Sequence, residues 1–222
     1  MRKFVILFAT ILYVINFVAD LNAQTVIVEE TFDNNELGWT ENTKPDLGEC
    51  VIIDGQFKFD SKLNSNFFDA KSDRPTLLTS EATMPIDPNN GFEISADMMF
   101  DHVGSFLGLS LDNINQTCGF LLEYDDDYNF IAVAVNEKNC YILFYVNGEL
   151  TRYKVAAVKM KGVEKNKVNA NLKIIYRDYK LKVLIDDIEM VELRKVNIES
   201  PEIALFTTGK RKLSFDNVII SQ

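Results

Sequence analysis

Histidine and tryptophan are almost absent from this sequence. The chain of 222 residues has one histidine, His102, and one tryptophan, Trp39. A single histidine excludes a zinc site built from a histidine cluster, and a Ser-His-Asp arrangement would depend on one residue that we expect in a turn. We expect Trp39 to fill one end of an apolar core rather than to stack on a sugar.

Cysteine is scarce as well, with only Cys50, Cys118 and Cys140. Even in an oxidising compartment, three cysteines allow at most one disulfide. Two short predicted turns place Cys118 opposite about Ala134 and Cys140 opposite about Val135. The pair would then flank a middle strand, about twice 4.8 Å apart, which exceeds the roughly 7 Å Cα separation that a disulfide can span. We therefore expect free, buried thiols.

Long apolar runs and helical periods are missing, except at the N-terminus. Residues 1–23 begin with Arg2 and Lys3 and continue with an apolar run over 4–18, which is the layout of a secretory signal. The run is shorter than the roughly 20 residues that span a bilayer. We expect the signal to be removed, leaving residues 24–222 as one domain of an extracellular or periplasmic protein.

Basic charge is also in deficit, since 23 Lys and Arg face 33 Asp and Glu, for a formal net charge of -10. A chain this acidic is repelled by phosphate backbones and by anionic lipid. We therefore expect no nucleic-acid partner.

What the sequence does contain is strand alternation. Residues 91–154 hold five alternating runs separated by short polar clusters, which predicts a meander of antiparallel strands. Hairpins are predicted at Asp54-Gly55, Arg177-Asp178 and Asp186-Asp187, and two more strands surround Gly209. The sequence therefore predicts an all-β sandwich.

Alternation gives each predicted strand of the meander two faces. One face is a continuous apolar set, and the other mixes aromatic rings with small residues, so that a ligand could lie between the rings. Alternatively, a sheet edge, a loop or a partner covers this second face. Its candidate ligand-binding residues, with Glu123 at the rim, are Asp97, Met99, Phe106, Phe130, Tyr141 and Tyr145.

Four local patterns are informative together: Thr31-Phe32-Asp33 with Gly38-Trp39, Asp54-Gly55-Gln56-Phe57, Asn171-Leu172-Lys173-Ile174 and Phe215-Asp216-Asn217-Val218. They resemble patterns of the concanavalin A-like lectin/glucanase superfamily, and within it of the laminin-G-like and bacterial 3-keto-disaccharide hydrolase-type domains. The resemblance implies a two-sheet antiparallel jelly roll that binds or processes carbohydrate on its concave side.

Glycosidases of this superfamily carry alternating carboxylates on one strand, in a Glu-x-Asp-x-Glu-like pattern. No such signature is present, and the patterns of jelly-roll polysaccharide lyases are also missing. Glu93 and Asp97 share a face, and Glu123 lies on a neighbouring run, so these three are the weak candidates for an acid and a base.

A bound calcium ion is the more plausible metal, because sandwiches that this chain resembles often tie their two chain ends together with a hard cation. The matching positions are Glu30 or Asp33, a carbonyl near Gly38, and Asp216.

Three functions fit these observations. The first is a secreted, non-catalytic carbohydrate-binding or adhesive module that uses the concave sheet face. The second is a hydrolase that acts on glycans, and the third is a structural domain that packs on a protein partner. A groove with two facing carboxylates favours the enzyme, an aromatic platform the binding module, and a wide apolar patch the protein partner.

Overall fold

The computed structural model describes residues 24–63, 76–101, 116–158, 160, 162–164 and 167–222. The predicted signal at 1–23, His102, Phe106, the run at 107–111 and most of the predicted loop at 61–74 lie outside the described residues. The described chain forms one 3-10 helix, Pro88–Asn90, and sixteen strands: β1 (Val26–Glu30), β2 (Asn42–Lys44), β3 (Gly48–Ile53), β4 (Gln56–Ser61), β5 (Leu78–Thr83), β6 (Phe92–Asp101), β7 (Cys118–Asp126), β8 (Asn129–Val135), β9 (Asn139–Val146), β10 (Glu149–Ala157), β11 (Gly162–Glu164), β12 (Lys167–Arg177), β13 (Lys180–Ile185), β14 (Ile188–Arg194), β15 (Glu202–Thr207) and β16 (Arg211–Ser221).

The strands form two antiparallel sheets, which confirms the predicted jelly-roll sandwich. The ten-stranded sheet has the order β14-β13-β12-β6-β16-β4-β3-β2, with β1 beside β16 and β11 beside β12. The six-stranded sheet has the order β10-β9-β8-β7-β15-β5.

Tight turns explain why several hairpins form where the sequence predicts them. Asp54 and Gly55 both have positive φ, 54° and 67°. Two-residue hairpin turns whose twist matches that of the strands require positive φ at both residues. Asp186 and Asp187 also have positive φ and separate β13 from β14. The third hairpin turns one residue later than predicted, at Asp178 and Tyr179.

The main core lies between the sheets and is rich in aromatic rings. Phe215 of β16 contacts Phe59 of the same sheet and Phe120 of the other sheet, with ring centroids 5.9 and 6.0 Å apart. Trp39 is 2% exposed and packs beside Phe57, so its predicted place in the core is confirmed. Burying a side chain of this size contributes roughly 1.5–3 kcal/mol.

The predicted meander is divided between the two sheets. Residues 92–101 form β6, which pairs with β12 and β16 in the ten-stranded sheet, whereas β7 to β10 run consecutively in the six-stranded sheet. The expectation of one continuous face across residues 91–154 is therefore wrong, because the partners of β6 are supplied by the last third of the chain.

The three cysteines are free and buried, as predicted. Cys118 and Cys140 both pair with Val135, one from each neighbouring strand, so that β8 separates them. The predicted register of Cys118 is wrong by one residue, but the two thiols do flank a middle strand.

Hydrogen bonds join the edges of the two sheets on both sides of the sandwich. The Arg152 guanidinium of β10 donates to the carbonyls of Arg194 and Lys195, at 2.6 and 3.1 Å. On the opposite side, the Thr40 amide donates to the Glu81 carbonyl of β5 at 3.2 Å. These bonds occupy backbone groups that an edge strand would otherwise leave open.

No helix in the described part of the chain has the length and apolar character needed to cross a membrane.

Candidate ligand-binding groove

A groove runs over the outer face of the ten-stranded sheet. It consists of two adjoining depressions of about 490 and 440 Å³, and Gln56, Met99 and Ser214 line both of them. The first depression extends towards β3 and the second towards β12. We call the two together the groove.

Strand alternation places the groove's side chains. In β16, Leu213 and Phe215 point into the core, so Ser214 between them points to the outer face. Ser214 pairs with Met99 of β6 on one side and with Lys58 of β4 on the other. Because serine is much shorter than its two neighbours, the floor of the groove is low at this position.

A row of carboxylate and amide side chains crosses the second depression. Asn171 and Asn217 each donate an amide hydrogen bond to Asp97, one to each carboxylate oxygen, at 2.9 Å. Asp216 lies directly opposite Asp97 on the neighbouring strand and accepts a bond from Gln56 at 3.4 Å. These contacts hold the polar groups in place before any ligand arrives.

The first depression has a different character, because lysines lie among its carboxylates. Lys212 pairs with Asp60 at 2.9 Å, and Lys58 pairs with Asp54 at 3.1 Å. Both pairs are partly exposed to solvent, so each contributes little to stability.

The structure brings only some of the predicted site residues to this groove. Asp97 and Met99 line it. Glu93 lies on the same face of β6 but forms an ion pair with Lys173 at 3.5 Å. Glu123 belongs to the six-stranded sheet, where its carboxylate accepts a bond from the Glu199 amide at 2.5 Å. The predicted catalytic group of Glu93, Asp97 and Glu123 is therefore divided between two sheets.

The remaining described candidates lie on the outer face of the six-stranded sheet. Phe130, Tyr141 and Tyr145 are 3–4% exposed, and the rings of Phe130 and Tyr145 stack with centroids 5.0 Å apart. Burial raises the pKa of Tyr145 to about 12 and also raises the pKa of Tyr141. The predicted single ligand-binding face is wrong, because these rings and Asp97 with Met99 lie on different sheets. We call this buried set the aromatic cluster; it contains Leu77, Leu121, Tyr124, Phe130, Ala132, Ala134, Tyr141, Leu143, Tyr145, Ala204 and Phe206.

The residues expected to bind calcium do not point to one place. Glu30 is 1% exposed, pairs with the core residue Val218, and accepts bonds from the amides of Phe32 and Leu37 at 2.8 and 3.0 Å. Asp216 points to the outer face of the same sheet.

The other two members of the predicted calcium set lie in the loop after β1. Asp33 accepts a bond from the Thr31 hydroxyl at 3.3 Å, and Gly38 has a positive φ of 70°. Within the described ranges, no group of three or more His, Cys, Asp or Glu side chains is arranged to hold a metal ion. Calcium binding stays a prediction.

Sequence reasoning missed Gln56, Lys58, Asn171 and Ser214 as groove residues. The signal that could have found Gln56, Lys58 and Asn171 is the alternation of β4 and β12, which places these side chains on an outer face. Nothing in the sequence around Ser214 indicates that it forms the floor of a groove.

Comparison with known proteins reveals similarity of fold at low sequence identity. No protein-family model matches the chain, and no curated protein matches it. Among solved structures, it is similar to the carbohydrate-binding module CBM66 from Bacillus subtilis, with a TM-score of 0.52 and 14% identity over 83% of this chain and 96% of that one.

Two further structures extend the comparison. The catalytic domain of a laminarinase, an endo-1,3-beta-glucanase from Thermotoga petrophila RKU-1, has a TM-score of 0.56 and 9% identity over 90% of this chain and 98% of that one. A protein of unknown function with a galectin-like fold from Bacillus subtilis has a TM-score of 0.58 and 8% identity over 89% of this chain and 96% of that one. The resemblance to concanavalin A-like jelly rolls is thus confirmed for the fold.

Proposed function

We propose that the protein is a secreted, non-catalytic carbohydrate-binding module that holds a glycan in the groove of the ten-stranded sheet. The observation that carries this proposal is the row of Gln56, Asp216, Asp97 and Asn171 across the groove. Carboxylates accept hydrogen bonds from sugar hydroxyls, and amides both donate and accept them. The fold, which carbohydrate-binding modules and glucanases share, supports the same proposal.

The groove recognises its ligand mainly through hydrogen bonds. Phe59 and Phe100 border the first depression but are only 2% and 1% exposed, because they point into the core. No other aromatic residue is among the described residues that line the groove. A ligand that lies between aromatic rings, as the sequence predicts, therefore has no platform here.

A hydrolase is the alternative, and the facing carboxylates of Asp97 and Asp216 are the observation that favours it. Directly opposite residues in neighbouring strands have Cβ atoms about 4.5–5.5 Å apart, close to the roughly 5 Å that separates the two carboxyl groups of a retaining glycosidase. However, a retaining glycosidase needs a proton on one of its two carboxyl groups. Asp97 accepts N–H bonds on both oxygens, from Asn171 and Asn217. Asp216 does so too, from the Asn217 backbone amide at 2.8 Å and from Gln56. That is the bonding of an ionised carboxylate, so we favour the binding module.

The test is a glycan array probed with the purified protein and with Ser214→Phe, once in calcium and once in chelator. The phenyl ring fills the low point of the groove without removing any carboxylate or amide. We expect binding of the wild type and at least a tenfold loss in the variant, because displaced sugar hydroxyls lose hydrogen bonds of about 1.5 kcal/mol or more.

Thr151→Phe, at an exposed position of the edge strand β10, is the size-matched control and should bind as the wild type does. Silence of the wild type across the array, in calcium and in chelator, would contradict the proposal. Release of reducing sugar from any array glycan, lost in Asp97→Asn, would favour the hydrolase.

A further inference from the structure

The charges that line the groove are unevenly distributed. Six carboxylates and three lysines line it in all, and the lysines belong to the first depression only. The second depression has Asp97, Asp186 and Asp216, and no lysine or arginine is among its described lining residues. A glycan in the groove therefore meets a mixed-charge end and a purely acidic end.

Asp97 and Asp216 are an unfavourable pair as they stand. They are directly opposite each other on β6 and β16, and like charges at such positions destabilise a sheet. Among the described residues, no lysine or arginine forms an ion pair with either of them. The amide donors Asn171, Asn217 and Gln56 satisfy hydrogen bonds but bring no positive charge.

Ser214 provides an independent indication of a ligand at this place. Its side chain is 5% exposed and lines both depressions. Within the part of the chain that the structure describes, the Ser214 hydroxyl forms no hydrogen bond. Because a hydroxyl both donates and accepts hydrogen bonds and this one is open to the groove, it can bond to a hydroxyl of a ligand.

From these observations we infer that the second depression binds a sugar that carries a protonated amine, as in a deacetylated hexosamine. This inference rests on the proposed function and specifies its ligand. The ammonium group lies between the Asp97 and Asp216 carboxylates and neutralises their repulsion, while a neighbouring hydroxyl of the sugar bonds to Ser214. Glycans with carboxylate or sulfate groups at this position are repelled by the same pair.

The test uses a glycan array on which each of several backbones is present in three forms: with free amines, N-acetylated, and N-succinylated. The three forms carry positive, zero and negative charge on otherwise matched chains. At about pH 6, below the pKa of an alkyl amine, we expect the amine form to bind about tenfold more tightly than the acetylated form. The succinylated form should bind most weakly.

Asp216→Asn is the informative variant, and Asp178→Asn, an exposed turn position outside the groove, is its charge-matched control. Asp216→Asn should remove most of the preference for the amine, because it should weaken binding of the amine form about tenfold more than it weakens binding of the acetylated form. Its melting temperature should equal or exceed that of the wild type, because the like-charge pair is gone. A variant that is merely misfolded would melt lower and lose both forms.

The outcomes separate this inference from the proposed function. If neutral glycans bind and the amine brings no advantage, the inference is overturned and the proposed function stands. If no form of any backbone binds, both fail. If the preference for the amine disappears in chelator, the inference is also overturned, because a metal ion would then be the cation between the two carboxylates.

Discussion

The outer face of the ten-stranded sheet carries polar side chains around an open groove, whereas the outer face of the six-stranded sheet carries the buried aromatic cluster. The two faces also differ in their hydrogen bonding. On the first, Asn171 and Asn217 orient the Asp97 carboxylate. On the second, Phe130 and Tyr145 stack on each other and are closed to solvent.

This difference separates binding from stability. Buried rings contribute to folding through the area that they remove from water, and they have little surface left for a ligand. Oriented polar groups in an open groove contribute little to folding but are available to a ligand. A substitution should therefore affect mainly stability on the six-stranded sheet and mainly binding on the ten-stranded sheet.

The largest effect is expected from the double substitution Tyr141→Ala and Tyr145→Ala. Both rings are 4% exposed, and removing a buried ring costs roughly 3–5 kcal/mol. We expect the free energy of unfolding, measured by urea denaturation, to fall by at least that amount. Glycan binding per folded molecule should not change.

Tyr153→Ala is the matched control, because Tyr153 is 61% exposed on β10. It should change the free energy of unfolding by less than about 0.5 kcal/mol. If the double variant is as stable as the wild type but no longer binds glycan, the aromatic cluster is the binding face and the contrast between the two faces is wrong.

A smaller effect is expected from alkaline pH. It should come from buried thiols in both sheets, since burial also raises the pKa of Cys50 to about 11, and from the Tyr145 phenol of the aromatic cluster. Burial raises the pKa of the Cys118 thiol to about 11, and that of the Tyr145 phenol to about 12. In the unfolded chain these groups ionise at lower pH, near their ordinary pKa values of 9.0 and 10.0. The stabilisation that these protonated groups give the folded state is therefore complete below about pH 9. As the pH rises towards 12, the free energy of unfolding should fall by about 2 kcal/mol for each group.

Urea denaturation between pH 8 and pH 11 measures this loss. Tyr145→Phe should make the decline less steep, because the phenol proton is gone. Asp97→Asn, on the groove face, should leave the slope unchanged. If Asp97→Asn changes the decline of the free energy of unfolding with pH and Tyr145→Phe does not, then the aromatic cluster is not the source of the stability.

Local features of the fold could be predicted from the sequence because their causes are local. The Asp54-Gly55 turn follows from the positive φ that both residues adopt, and alternation correctly separates Met98 in the core from Met99 on the surface. The flanking of β8 by Cys118 and Cys140 follows from two short turns in succession.

The groove could not be predicted, because its strands are distant in sequence. Asp97 meets Asn171 and Asp216 only because β6 lies between β12 and β16. Alternation shows that Asp97 and Tyr141 both point away from a core, but it does not show that they belong to different sheets. It also does not distinguish a ring that binds a ligand from one that is buried in a second apolar cluster.

The most direct test of the central claim is a nuclear magnetic resonance titration that follows the methionine methyl groups, with any array glycan that binds. Met99 lines both depressions, while Met84 is buried in the core. Met99→Leu identifies the Met99 signal among the six methionines of the sequence. We predict that the Met99 methyl signal shifts in proportion to saturation while the Met84 signal stays in place. A saturating glycan that leaves Met99 unmoved and shifts the ring signals of Tyr141 and Tyr145 would contradict the account.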